Sequence, residues 1–183
     1  MLTDIERATL LEIARHSIAY GLQHDRAAPV TVADYPAALQ QIKASFVTLL
    51  INGALRGCIG TLQAHRALVE DVSQNAYAAA FRDPRFPRLS VKEYEKLQYH
   101  ISILSTPEPM HFKDEHDLLT QLRPGIDGLV LEEGHYRGTF LPQVWESLPE
   151  PKQFLRHLKQ KAGLPPDYWS TTITVQRYSV EEF

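Results

Sequence analysis

The dipeptide Asn52-Gly53 constrains this chain more than any other feature. Both residues accept the positive φ angles of a two-residue type I′ turn, whose twist matches that of the strands it joins. Phe46-Val-Thr-Leu-Leu-Ile51 precedes the dipeptide and Ala54 to Leu62 follows it, so the segment reads as an antiparallel hairpin. Helices are expected on either side. Thr3 and Glu6 fit a capping box, in which a hydroxyl and a carboxylate satisfy orphan N–H groups at a helix start. Ile5, Ala8, Leu11, Ile18 and Leu22 then recur at near-helical spacing, with Gly21 at a position suited to a helix end. Residues 23–43 carry Pro29 and Pro36 and read as irregular chain with one helical turn. From about His65 to Arg82 the apolar positions Leu68, Val72, Ala76 and Ala79/Ala80 share one helical face. Pro84 disfavours a helical conformation at Asp83, so the helix stops there.

Further along, Ser90 and Glu93 form a second capping box, and Tyr99, Ile101 and Ile103 alternate as a half-buried strand. Asp114 caps a short helix through Leu122, which Pro124-Gly125 ends. Leu129-Val-Leu131 and Tyr136 to Phe140 form a hairpin around Glu133-Gly134. Pro151 suits the first position of a helix whose stripe is Phe154, Leu155, Leu158 and Ala162, with Gly163 ending it. Ser170 to Tyr178 is rich in β-branched residues and reads as a final strand. Hairpins with intervening helices predict an α+β fold, with antiparallel or mixed sheets flanked by helices. No linker or domain boundary is legible, so residues 1–183 read as one domain.

Composition narrows the classes of partner. No apolar run reaches the ~18–20 residues that span a bilayer, and the acidic start lacks a signal-peptide core. One cysteine forms no internal disulfide, which favours a reducing, cytoplasmic setting. A formal net charge of −3 gives no global attraction for nucleic acid.

The chemistry concentrates in Leu55-Arg-Gly-Cys-Ile-Gly60. On a regular strand Arg56 and Cys58 share a face, ~7 Å apart, while Leu55 and Ile59 point to the core. Gly57 and Gly60 mark a bulge, or a place where a backbone or ligand comes close. A thiol beside a guanidinium can act as a nucleophile, whereas a lone cysteine often only fills space. The second cluster is Asp83-Pro-Arg-Phe86, delivered by the helix after the hairpin. An Asp83–Arg85 pair can position a carboxylate or phosphate, or simply brace the helix end. His100 shares a strand face with Ser102 and is a candidate base for Cys58. The histidines and carboxylates of His111 to Asp117 lack a recognisable metal spacing and read as a solvated loop. Neither a cofactor nor a metal is expected.

Leu55–Gly60 followed by Asp83–Phe86 resembles the AMMECR-type domain family, whose bacterial and archaeal members are called AmmeMemoRadiSam system protein A. Arg137 to Val144 (Arg-Gly-Thr-Phe-Leu-Pro-Gln-Val) and Lys161 to Leu164 (Lys-Ala-Gly-Leu) match in order, so the resemblance covers about Leu2 to Tyr178. It implies two lobes with the Arg-Gly-Cys strand lining a cleft between them, and gene-level association with a Memo-like protein and a radical S-adenosylmethionine enzyme. It supplies no reaction. Arg56, Gly57, Cys58, Gly60, Asp83, Arg85 and Phe86 are the positions carried over.

Three functions follow as expectations. The first is an accessory protein that binds a small anionic ligand or a protein segment beside those two partners. The second is an enzyme using Cys58 as nucleophile, Arg56 and Arg85 as anion clamps and Asp83 as orienter or base. The third, a nucleic-acid-associated module built on Arg82, Arg85 and Arg88, ranks last because of the overall acidity. Oligomeric state is not legible.

Overall fold

The computed structural model describes all residues, Met1–Phe183. Its helices are α1 (Asp4–His24), α2 (Ala37–Gln40), α3 (Leu68–Phe81), α4 (Val91–Tyr94), α5 (Glu115–Gln121) and α6 (Pro151–Ala162). Its strands are β1 (Ser45–Ile51), β2 (Ala54–Gly60), β3 (Leu97–Leu104), β4 (Glu108–Pro109), β5 (Gly128–Glu133), β6 (Tyr136–Phe140), β7 (Thr174–Tyr178) and β8 (Val180–Glu182). The fold is α+β, as the alternation of hairpins and helices predicts, with two four-stranded antiparallel sheets ordered β2-β1-β3-β8 and β4-β7-β5-β6.

The local signals explain most element ends. Thr3 accepts the Glu6 N–H while the Glu6 carboxylate accepts the Thr3 N–H, and Ser90 and Glu93 repeat the arrangement on α4. Asn52 and Gly53 both have positive φ, at 53° and 76°, so the hairpin closes in two residues. Asp114 caps α5, and Gly163 ends α6 in the left-handed region. One expectation fails at the end of the chain. Thr174–Tyr178 is not the final strand: β8 follows it and joins the first sheet, with Ile101 and Phe183 exchanging N–H···O bonds at 2.9 and 3.1 Å. Val180-Glu-Glu182 is too short and too polar to announce a strand, and it forms because β3 offers it an open edge.

The chain divides into two compact units, Met1–Leu104 with Glu181–Phe183, and Ser105–Val180. In the first, α1 and α3 cover one face of the sheet. Leu10, Ala14 and Ile18 of α1 and Leu68, Val72 and Ala76 of α3 pack with Val47, Leu49 and Ile101. Glu181 ties the start of α1 to this unit, accepting the Leu2 N–H at 3.0 Å and the Arg7 guanidinium at 2.9 Å. In the second, Leu129, Leu131 and Val175 pack with Phe154, Leu155 and Leu158 of α6, and the Trp145 ring stacks on Phe154 at 3.8 Å.

A buried polar tie holds the first unit's strands to α3. Asp71 Oδ2 accepts from the Ser45 N–H (2.9 Å), the Ser45 hydroxyl (2.6 Å), the Thr61 hydroxyl (2.7 Å) and Asn75 Nδ2 (2.9 Å). Arg66 Nε donates to the other oxygen at 2.8 Å. This carboxylate therefore joins the start of β1, the end of β2 and one turn of α3. Satisfied polar networks of this kind specify a single packing of the core around them.

Candidate functional site at the edge of the first sheet

β2 is the outermost strand of its sheet, so one row of its backbone groups has no strand partner. Two side chains fill that gap at Cys58. Its N–H donates to Asp83 Oδ2 at 2.9 Å, and its carbonyl accepts from Arg85 Nη2 at 3.1 Å. The Asp83–Arg85 pair thus does at this residue what a further strand would do. Because both Cys58 backbone groups point outward, Thr48 and Cys58 form a non-hydrogen-bonded cross-strand pair, whose side chains approach closely. The Thr48 hydroxyl donates to Cys58 Sγ at 3.2 Å.

Asp83 is buried, and all four of its contacts are donors. Arg85 supplies its N–H and Nε to Oδ1, each at 3.0 Å, and Nη2 to Oδ2 at 2.7 Å, beside the Cys58 N–H. The Arg85 guanidinium holds the carboxyl far below the usual carboxylate range against the opposing effect of burial, and the two N–H groups lower it further. Such a carboxylate is a weak proton acceptor near neutral pH. The arrangement brings Cys58, Asp83 and Arg85 together, but with the carboxylate on the cysteine backbone rather than on its thiol.

Arg56 departs from the expected alternation. The β1–β2 register pairs Leu49 with Gly57 and Leu50 with Leu55, so Arg56 is an extra residue in a bulge. Two expectations fall with it. Leu55 lies on the Leu50 face and is 44% exposed instead of facing the core. Arg56 does not lie beside the thiol in regular alternation. Its guanidinium crosses to α4, donating Nε to Glu93 at 2.7 Å and Nη2 to the Pro87 carbonyl at 2.9 Å. Glu93 is the partner the sequence reading missed. It was visible as a capping residue, and the same carboxylate serves both tasks. Arg56 together with the Ser90 cap holds it down at about 2.

Arg56 is only 7% exposed, and its Nη1 has no acceptor. Phe86 meets both guanidinium groups, its ring centroid 5.7 Å from Arg56 Cζ and 5.6 Å from Arg85 Cζ. The Arg85 side chain is 54% exposed. Gly57 and Gly60 make room for protein. A Cβ on Gly57 would stand 2.1 Å from the Ala79 carbonyl oxygen of α3, and one on Gly60 would stand 2.2 Å from the Phe46 ring. The close backbone approach signalled by the glycines is, at Gly57, that of a helix.

His100 is exposed on β3 and pairs with Thr48, so it shares a sheet face with Cys58 across an intervening strand. That places their backbones roughly 9–10 Å apart, beyond direct proton transfer. Around His111 to Asp117, Asp114 caps α5 and Asp117 accepts the Lys113 N–H at 2.9 Å. No group of three or more His, Cys, Asp or Glu residues is placed to hold a metal ion. No helix is long and apolar enough to cross a membrane.

Comparison with known proteins places the chain in a family. A protein of Methanothermobacter thermautotrophicus is 35% identical over 184 residues, covering 97% of this chain and 93% of its own. A protein of Methanocaldococcus jannaschii is 34% identical over 162 residues, covering 84% and 79%. The crystal structure of an uncharacterised protein from Pyrococcus horikoshii superposes with a TM-score of 0.80 at 32% identity, covering 95% of this chain and 88% of that one. The family model AMMECR1 matches residues 11–183, and the chain belongs to that family.

Proposed function

We propose that this chain is a cytoplasmic accessory protein that binds an anionic group, free or on a protein segment, at the surface around Arg56, Phe86 and Arg85. In this reading it works beside a Memo-like protein and a radical S-adenosylmethionine enzyme. One observation carries the binding claim. Arg56 is buried, yet Nη1 of its guanidinium lacks an acceptor. Leaving a buried charged donor unpaired costs on the order of 1–3 kcal/mol. A carboxylate or phosphate oxygen would recover that energy, and Arg85 would add a second, more exposed guanidinium.

The thiol-enzyme reading has less support. Catalysis by Cys58 needs a base at its sulfur, and the group found there is the Thr48 hydroxyl. Asp83 has both oxygens engaged by donors. Iodoacetamide alkylation of Cys58 faster than that of free cysteine at neutral pH would revive this reading.

The binding claim is tested by capture from a cell extract holding both proposed partner proteins, with bound metabolites and proteins identified by mass spectrometry. The wild-type chain retains an anionic metabolite or one of the two partners, and folded Arg56→Ala and Arg56→Lys lose it. Equal retention by all three, or retention of neither class by the wild type, refutes the proposal. Arg56→Lys keeps the charge but removes the fork, so it separates loss of recognition from loss of fold.

A further inference from the structure

A second site lies in the unit Ser105–Val180, remote in sequence from the Arg-Gly-Cys strand. We propose that the pocket between the β5–β6 turn and the end of α6 binds an ammonium or guanidinium group, carried by a small organic amine or by a polypeptide side chain. The pocket holds about 400 Å³ and is bordered by Glu133, Tyr136, Leu164, Pro165 and Tyr168 among others. That volume suits a small ligand.

Glu133 is the centre of the argument. Its Oε1 accepts three hydroxyls, from Thr172 at 2.7 Å, Ser170 at 2.9 Å and Tyr168 at 3.1 Å. All three donors are neutral. The Thr172 hydroxyl in particular, with those of Ser170 and Tyr168, lowers the carboxyl from its ordinary value despite burial, so Glu133 is an anion at neutral pH. Its neighbour Glu132 pairs with Arg137 at 2.8 Å, whereas Glu133 has no cationic partner. Oε2 is covered and accepts nothing. A carboxylate with one oxygen saturated and the other empty is incomplete. The residues lining the void include no lysine or arginine that would complete it.

The walls suit a cation. Glu133 and Tyr136 are directly paired across the β5–β6 hairpin, so their side chains leave the same face. The turn is tight because Gly134 takes a φ of 59°. Gly163, with φ 93°, brings the end of α6 close to the Tyr136 ring, where a Cβ would stand 3.2 Å from Cδ1. The rings of Tyr136 and Tyr168 border the void with Leu164 and Pro165, and aromatic rings attract an ammonium or guanidinium; His135, which also borders it, lies against the Tyr136 ring at a centroid distance of 4.1 Å. Because Oε2 is covered, an entering donor reaches it only if the carboxylate turns about its last, soft torsion, exchanging part of the hydroxyl contacts of Oε1 for the new one.

Amide NMR shifts test this with three probes: n-butylammonium, the capped tripeptide Gly-Lys-Gly, and n-butanol as the uncharged isostere. Saturable millimolar shifts at Gly134, Tyr136 and Gly163 are expected with the first two and not with butanol. The tighter of the two cationic probes identifies the source as free amine or side chain. Glu133→Gln weakens binding by at least about tenfold, as expected for a charge-assisted contact. Because that variant also loosens the Ser170 and Thr172 contacts, Tyr136→Ala is made beside it, with a several-fold loss expected from the removed ring. No saturable shifts with either cation, equal shifts with butanol, or undiminished binding in folded Tyr136→Ala would each overturn the proposal.

Discussion

Replacing Gly57 with alanine separates a packing role from a ligand-facing one. The new Cβ would meet the Ala79 carbonyl oxygen at 2.1 Å and its carbon at 3.0 Å. Ordinary contact begins near 3.4 Å, so the substituted strand is more than an ångström too close to α3. The obstacle is helix backbone, which has no rotamer to change. Either α3 shifts, disturbing its packing against Val47 and Leu49, or β2 moves away and lengthens the Cys58–Asp83 bond. Overpacking typically costs 1–3 kcal/mol, and a rigid obstacle puts this case at the upper end, about 3 kcal/mol. At roughly 2–4 °C per kcal/mol for a chain of this size, the midpoint falls by about 6–12 °C. Far-UV circular dichroism reads all the helices, most of whose residues lie in α1 and α3, while both tryptophans, Trp145 and Trp169, lie in the second unit, so a loss of ellipticity that precedes the change in fluorescence places the damage in the first. Gly53→Ala is the control. It has φ +76° but nothing within 4 Å, and should lose about 1 kcal/mol from backbone strain alone. A Gly57→Ala loss no greater than that of Gly53→Ala would refute the packing account and return Gly57 to the list of ligand-facing residues.

Three further outcomes follow from the same contacts. Asp83→Ala strips the Cys58 N–H of its acceptor and leaves Arg85 unpaired; since Arg85 is half exposed, the loss is about 2–3 kcal/mol in urea denaturation, and the Cys58 amide should exchange faster with deuterium. Asp71→Asn sets an amide against a cluster of donors and should cost about 2–4 kcal/mol by the same assay. Glu93 has a folded pKa depressed from 4.5 to about 2, so its contribution is fully present above about pH 4.5 and is lost as pH falls toward about 2. The stability gap between wild type and Glu93→Gln, followed across that range, should therefore close toward the acid end; a gap independent of pH would contradict the Arg56–Glu93 pairing.

Local chemistry made much of this fold readable. Turn residues with positive φ, reciprocal caps and a proline or glycine at a helix end act within a few residues, and each was legible at Asn52-Gly53, Thr3, Ser90 and Gly163. The glycines allowed for a bulge, but its place at Arg56 was not legible, because Leu55 and Ile59 are apolar and fit a regular strand as well as an interrupted one. Pairing register belongs to two strands at once, and only the Leu50–Leu55 match reveals the extra residue. Asp71 and Asn75 were overlooked for a related reason. The helix was read through its apolar stripe, and a buried carboxylate looks like a solvated one until its donors arrive from β1 and β2. That Cys58, Asp83 and Arg85 lie together was legible, since β2 and the helix that delivers Asp83 and Arg85 are consecutive elements. Their division of labour was not, because side-chain length lets Arg56 reach Glu93 rather than the thiol.

The return of β8 to the first sheet has a consequence for the order of events during synthesis. β3 ends at Leu104 and its neighbour begins at Val180, so Ser105–Ser179, all but one residue of the second unit, is made between two adjacent strands of one sheet. β7, the last strand of the second unit, ends at Tyr178 and β8 begins at Val180, so the two units are completed almost together, and until then the first lacks a strand and the Glu181 anchor for Leu2 and Arg7. The earlier-made unit thus waits for nearly the whole of the later one to be made, with β3 unpaired along one edge. That open edge is a hazard for pairing between chains, and it persists until residues 180–183 clear the ribosome.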